Sequence, residues 1–333
     1  MVRLKEIADA CGVSVATVSR ALNGLTNENQ ERTILITRTA REMGYCPNAA
    51  ARTLKTSRSF NIGILYEDEL HHEYFSYLLN DLRQEADVRG YDLTMIGGGR
   101  EQGDRNYYDH VRRRNLDGVI VIQADFESAE VIRLATGAVP SVIIDHLYEG
   151  CDCVGNDNKA GMERILRYAW DRGHREFAFV SGEQGAVTRD RLAGFYKACA
   201  ELGIRVPEGH VLEGRFHDPE RCAELVQKVM DENDCVTCVL CPDDYSCLGA
   251  MTKLAAKGIR VPEQISLIGY DGIPMGSMIR PRLTTYRQDT ASIARETVGL
   301  LMEAMEDADR RRPRHIRVPG MLIEGETVRE LSR

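Results

Sequence analysis

From Phe60 onward the chain alternates short apolar runs with amphipathic stretches, and this rhythm limits its fold more than any other feature. NIGILY, LTMIG, DGVIVI and SVIID are separated by stretches of helical periodicity near 74–89 and 101–114. A short apolar run between amphipathic helices reads as a parallel strand covered on both faces. The rhythm restarts after about Lys159, with REFAFVS, helices near 190–202 and 219–232, VTCVLC, a helix near 244–257, and ISLIG. Two similar parallel α/β lobes are therefore expected, without a long Gly/Ser linker between them. Ligands bind beyond the carboxyl ends of strands in such sheets, so the cleft between the lobes is the expected site.

The first 58 residues follow a different rule. Leu4, Ile7 and Ala8 stand at i, i+3, i+4 and predict a short helix over 4–10. Gly12 permits a sharp turn, and Ser14 is a suitable N-cap for a second helix from about Val15 to Leu22. Ile36, Ala40 and Met43 predict a third helix ending at Gly44. The unit reads as a helix-turn-helix. Small residues such as Ala8 and Ala21 allow close crossing, which leaves Ser14, Thr17, Ser19, Arg20 and Asn23 to face phosphates and base edges.

GYCPNAAARTLKTSR follows, where Pro47 stops the preceding helix and Asn48 can cap a short segment carrying Arg52, Lys55 and Arg58. About eight residues are too few for an isolated helix, so this segment should order only against a partner. In a symmetric dimer, Leu54 from each copy would wedge into the minor groove. Charge supports the division. Residues 1–58 hold nine Lys/Arg against five Asp/Glu, whereas the whole chain stands at -8, leaving -12 for the remainder. A cationic head on an acidic body suits local phosphate neutralisation.

Other signals carry less. No segment reaches the roughly 18 apolar residues of a membrane helix, and MVRLKEIADA lacks a secretory core, so a cytoplasmic protein with free thiols is expected. Cys235, Cys238 and Cys241 imitate an iron–sulfur spacing, but on a strand residues three apart point to opposite faces. Cys151 and Cys153 can share a face, which suits the core. Gly98 and Gly103 are followed by Asp104 and Arg105 where a phosphate loop needs Lys and Ser/Thr. His71, His72 and Glu73 read as a rim, and the triple-arginine runs at 112–114 and 310–312 as solvated helix ends. No metal or cofactor is expected.

LKEIADACGVSVATVSRALNG, GYCPNAAARTLKTSR, RGHREFAFVSG, RDRLAGFYKA, CPDDYSCLGAM, IRVPEQISLIGYDG and RPRLTTYRQD occur in the order and approximate spacing of the LacI/GalR family of bacterial repressors. The chain resembles that family over essentially its whole length. The resemblance implies a helix-turn-helix domain over 1–46, a hinge helix and linker over 47–59, and a bilobed, periplasmic-binding-protein-like body over 60–333. Within the body it implies an N-subdomain of about 60–157 and 288–314, and a C-subdomain of about 158–287 and 315–333. It assigns base reading to Val15, Ala16 and Arg20, phosphate contacts to Ser14, Thr17, Ser19 and Asn23, and the minor-groove wedge to Leu54. Arg32 stands where the family usually opens its third helix with Thr, which leaves that cap open.

For the cleft, Asp145, Asp243 and Asp271 fall at or just after strand ends, with Arg191 and Phe216 nearby. Carboxylates and a guanidinium suit vicinal hydroxyls, and an aromatic ring suits the C–H face of a sugar. In sugar-responsive members of the family the matching positions line the effector pocket, and Phe75 matches a further aromatic lining. Asp243 replaces an Asn common in some members, so the ligand stays open. The expected protein is a homodimeric, non-enzymatic repressor of carbohydrate genes on a pseudo-palindromic operator. A sugar-binding transport protein lacks the export signal it would need. A metabolite-converting enzyme lacks a nucleophile–base pair, metal cluster or cofactor loop.

Overall fold

A computed structural model describes residues 2–22, 30–45, 53, 56, 58–67, 73–97, 106–306 and 312–331. The chain divides into two compact units, Met1–Ser59 and Phe60–Arg333. In the first, α1 (Leu4–Cys11), α2 (Val15–Leu22) and α3 (Gln30–Glu42) pack around Ile7, Ala8, Val18, Ala21, Ile36 and Ala40. Gly12 ends α1 in the left-handed conformation at φ 64°, which a residue with a Cβ adopts only at a cost.

The second unit runs β1 (Asn61–Leu65), α4 (Glu73–Val88), β2 (Asp92–Ile96), α5 (Tyr107–Arg113), β3 (Gly118–Val121), α6 (Ala129–Ala135), β4 (Ser141–Ile144), β5 (Asp152–Asn156), α7 (Asn158–Asp171), β6 (Phe177–Ser181) and α8 (Ala186–Leu202). It continues through β7 (Val211–Glu213), α9 (Pro219–Glu232), β8 (Cys238–Leu240), α10 (Asp244–Ala256), β9 (Ser266–Asp271), α11 (Met275–Met278), β10 (Thr284–Arg287), α12 (Thr290–Glu306), β11 (His315–Val318) and β12 (Met321–Ile323). The strands form two six-stranded sheets, ordered β11-β5-β4-β3-β1-β2 and β12-β10-β9-β8-β6-β7. All their pairings are parallel except β10 with β12.

Both faces of each sheet are covered, as the near-continuous apolar strands predict. In β8, Cys238 and Leu240 join the core beneath α7 and α8, while Val239 faces the core beneath α9 and α10. The same alternation sends Cys238 and Cys241 to opposite sides of the sheet, and Cys235 is exposed, so the three thiols diverge. Cys151 and Cys153 share a single core with α5 and α6.

The chain crosses between the lobes three times: from β5 into α7, from β10 into α12, and from β11 into β12. The crossings lie side by side. Asp157 N–H donates to Val318 carbonyl at 2.8 Å, and Gly320 N–H donates to the Tyr286 hydroxyl at 2.9 Å. The last crossing corrects the expected boundary at 314/315. β11 pairs with β5, so 315–318 belong to the first sheet, and the chain leaves that lobe one strand later than the sequence suggests. Of the helix expected near 101–114, the described part is α5. Helix α8 begins at Ala186 rather than near 190, and α6, β5, α7, β7, α11, β10, α12, β11 and β12 were not anticipated.

Candidate functional site

In the first unit the Ser14 side chain does local work. Its Oγ accepts from Thr17 N–H at 3.2 Å and lies 2.9 Å from Thr17 Oγ1, which caps α2. The capped helix presents Val15, Ala16 and Arg20 outward, with Val15 43% exposed, while Val18 and Ala21 hold the core side. Thr17 and Ser19 are half-buried at the margin. An exposed apolar side chain and an exposed guanidinium on one helix offer two contacts that distinguish bases in a major groove, one for a thymine methyl and one for guanine. Asn23, Asn48, Arg52, Leu54 and Lys55 lie outside the described residues.

In the second unit, a cavity of about 750 Å³ opens between the lobes. Arg191, from the first turns of α8, anchors its floor. It is almost fully buried, and its Nε donates to Asn158 Oδ1 at 2.8 Å and its Nη1 to Pro242 carbonyl at 2.6 Å. The guanidinium carbon sits 3.6 Å from the centre of the Tyr270 ring and 5.4 Å from that of Phe216. Nη2 faces Asp271 Oδ1 at 3.7 Å. Gln288, on the second crossing, donates to that same oxygen at 2.7 Å and accepts from Tyr74 hydroxyl at 3.2 Å. A buried polar chain thus runs from α4 in one lobe through the crossing to β9 and α8 in the other.

Asp145 follows β4 and enters the cavity from the first lobe. Its Oδ1 accepts from Asn156 N–H at 3.2 Å, an approach open only because residue 155 is glycine: a Cβ there would stand 2.6 Å from that oxygen. Burial pushes the Asp145 and Asp271 carboxyls up to about 6; the Asn156 amide and Arg191 pull Asp145 back, and Arg191 is the main restraint on Asp271. Both have positive φ, 60° and 109°, as do Gln123 and His217 in the lining of the same cavity. Non-glycine residues seldom adopt that geometry, and here it gathers around one cavity.

Phe216 lies on the loop before α9. Its N–H donates to Glu183 at 2.8 Å, and its ring covers Gly182, where a Cβ would come within 2.2 Å of it. Phe126 stacks on His146 with ring centres 4.2 Å apart and planes at 2°, on the opposite wall.

Four of the six expected effector contacts, Asp145, Arg191, Phe216 and Asp271, therefore line one cavity. The other two do not. Phe75 is 1% exposed and stacked on Tyr66 at 3.7 Å between ring centres, so its place on the wall belongs to its neighbour Tyr74. Asp243 is 1% exposed and caps α10, accepting from Ser246 N–H and Oγ at 2.8 Å each and from His217 N–H at 2.9 Å. It shapes the loop bearing His217 from behind. Sequence reasoning missed Gln288, His217, Phe126 and His146. The last two follow β3 and β4, where attention to strand ends would have found them.

Residues 3–48 match the family described as bacterial regulatory proteins, lacI family, and 166–328 match a periplasmic binding protein-like domain. The HTH-type transcriptional repressor PurR of Vibrio cholerae serotype O1 is 29% identical, with both chains covered in full. The chain belongs to the lacI family of bacterial regulatory proteins. Lac repressor, solved as a dimer bound to operator and the anti-inducer ONPF, shares the fold with a TM-score of 0.77 and 23% identity, over 98% of this chain and 99% of that one. The regulator CelR in its cellobiose complex gives 0.74 and 22%, over 98% and 100%. This lacI-family chain is accordingly a DNA-binding transcriptional repressor with an effector-binding domain, and not an enzyme. Among the described residues no helix is long and apolar enough to cross a membrane.

Proposed function

We propose that this lacI-family repressor acts in the cytoplasm as a homodimer on a pseudo-palindromic operator, and that it controls carbohydrate-utilisation genes through a small hydroxylated effector held between the lobes. The buried Arg191, fixed beside Asp271 and beneath Phe216 in a cavity that Asp145 enters from the other lobe, carries the reading. Fixed donors, acceptors and an aromatic face suit a polyhydroxylated ring, and CelR was solved with cellobiose. On the DNA side, the outward Val15, Ala16 and Arg20 read bases. Ser14, Thr17, Ser19 and Asn23 contact phosphates, and Asn48, Arg52, Leu54 and Lys55 form the minor-groove segment.

Effector control requires different affinities for the two conformations, and reversing a 99:1 population takes about 5.5 kcal/mol of that difference. The test is a gel-shift titration on DNA upstream of the protein's own gene, at fixed salt, with and without a panel of sugars and nucleobases. A sugar that changes operator affinity at least tenfold is expected. A planar heterocycle is the second reading, favoured by the parallel Phe126–His146 stack, and a nucleobase acting alone would replace the carbohydrate with it.

A further inference from the structure

We infer that the effector is a cation on a hydroxylated frame, of the amino-sugar class. The inference rests on reading the inter-lobe cavity as the effector site, and it concerns which ligand charge that cavity accepts. Among the described residues, Asp125, Glu127, Asp145, Glu183 and Asp271 line it with Arg189 and Arg191, which leaves three negative charges in excess. Among the described residues, Asp271 is the one member of Asp125, Glu127, Asp145, Glu183 and Asp271 within ion-pair distance of a guanidinium, that of Arg191.

Arg191 has little left to offer an anion, because Nε and Nη1 are committed to Asn158 and Pro242 and Nη2 faces Asp271. A phosphorylated or carboxylated ligand would therefore meet an uncompensated carboxylate surface in a site poorly screened by water. Asp271, 8% exposed, spends Oδ1 on Gln288 and Arg191, and its Oδ2 has no hydrogen-bond partner among the described residues. Asp145 likewise spends Oδ1 on Asn156. Each carboxylate thus keeps one oxygen for a ligand donor. Closing the lobes on a neutral sugar strips water from both carboxylates without adding countercharge, whereas an ammonium supplies the charge at the moment of closure. The rings of Phe126, Phe216 and Tyr74 on the same walls suit an ammonium as well as a C–H face.

The test titrates full-length protein by calorimetry with glucose, galactose and mannose, each as the neutral sugar, the 2-amino-2-deoxy sugar and the 6-phosphate. One amino sugar is expected to bind roughly tenfold or more tightly than its neutral parent, with no binding of the phosphates. Asp271→Asn should abolish that preference, so that the variant binds the amino sugar no more tightly than it binds the neutral parent. If that variant does not fold, a salt series on the natural protein decides: amino-sugar affinity should drop about threefold or more between low and high salt, and the neutral sugar's should hold. A neutral or phosphorylated sugar binding as tightly as its amino counterpart overturns the cationic ligand and leaves the carbohydrate reading standing. Binding by none of the nine overturns both.

Discussion

Single residues set what the cavity can hold, and two of them make direct tests. Gly182 exists as glycine so that the Phe216 ring can lie against it. Gly182→Ala should displace that ring, costing about 1–3 kcal/mol of stability and weakening effector binding roughly tenfold. Thermal melting and calorimetry read the two effects, and an alanine variant with unchanged effector affinity would remove Phe216 from the site. Asp271 makes a prediction in pH. Its carboxyl is held at about 6 against 3.8 in an ordinary environment, so the folded protein binds the proton more tightly than the unfolded chain. The associated stability is fully present below about pH 4 and is lost as pH rises through 6, by roughly 3 kcal/mol for this one group. Asp271→Asn should therefore flatten the melting temperature against pH between 4 and 7 relative to the natural protein; parallel curves would show that burial does not perturb the group. The strand-end positions of Asp145 and Asp271 were legible in the sequence. Their backbone geometry was not, because positive φ at a non-glycine residue is imposed by surrounding structure and leaves no compositional mark. Asp243 misled for a related reason, since a carboxylate before a helix reads the same whether it caps the helix or meets a ligand.

At the scale of elements, the helix-turn-helix was the most legible part of the chain. Periodicity, Ser14 and Gly12 gave α1 and α2 to within a residue, whereas α3 opens at Gln30, before the position at Arg32 that the resemblance marks for its cap. Ser14→Ala should cost about 1 kcal/mol through loss of the α2 cap and melt the N-terminal unit earlier, as followed by helical circular dichroism. Arg20→Ala should cost about 1–3 kcal/mol on the preferred operator and far less on altered sequences, in a binding competition. Equal loss on every sequence would make Arg20 a phosphate contact instead. Helix α4 shows where periodicity fails. Tyr74 and Phe75 are adjacent and both buried, and the stacking of Phe75 on Tyr66 decides which one reaches the cavity. That contact joins different segments of the first lobe and cannot be read from α4 alone. β11 is the parallel case, since its four residues could extend either sheet, and only pairing with β5 assigns them.

For the whole molecule, the charge division leads to a thermodynamic expectation. Operator affinity should fall steeply with salt, the slope of log K against log salt approaching -0.9 for each phosphate neutralised. A slope near zero in a filter-binding series would contradict phosphate contacts by the cationic head. The acidic body should add little to that slope. Its two lobes, by contrast, owe their mechanics to the three neighbouring crossings, where Asp157 meets Val318 and Gly320 meets Tyr286. Three straps sewn along one spine should resist shear and twist, which would leave the jaws essentially a single coordinate of opening. An agonist and an antagonist of this repressor would then occupy the same seat and differ in how far each lets the jaws shut, which makes ligand bulk the natural dial between them.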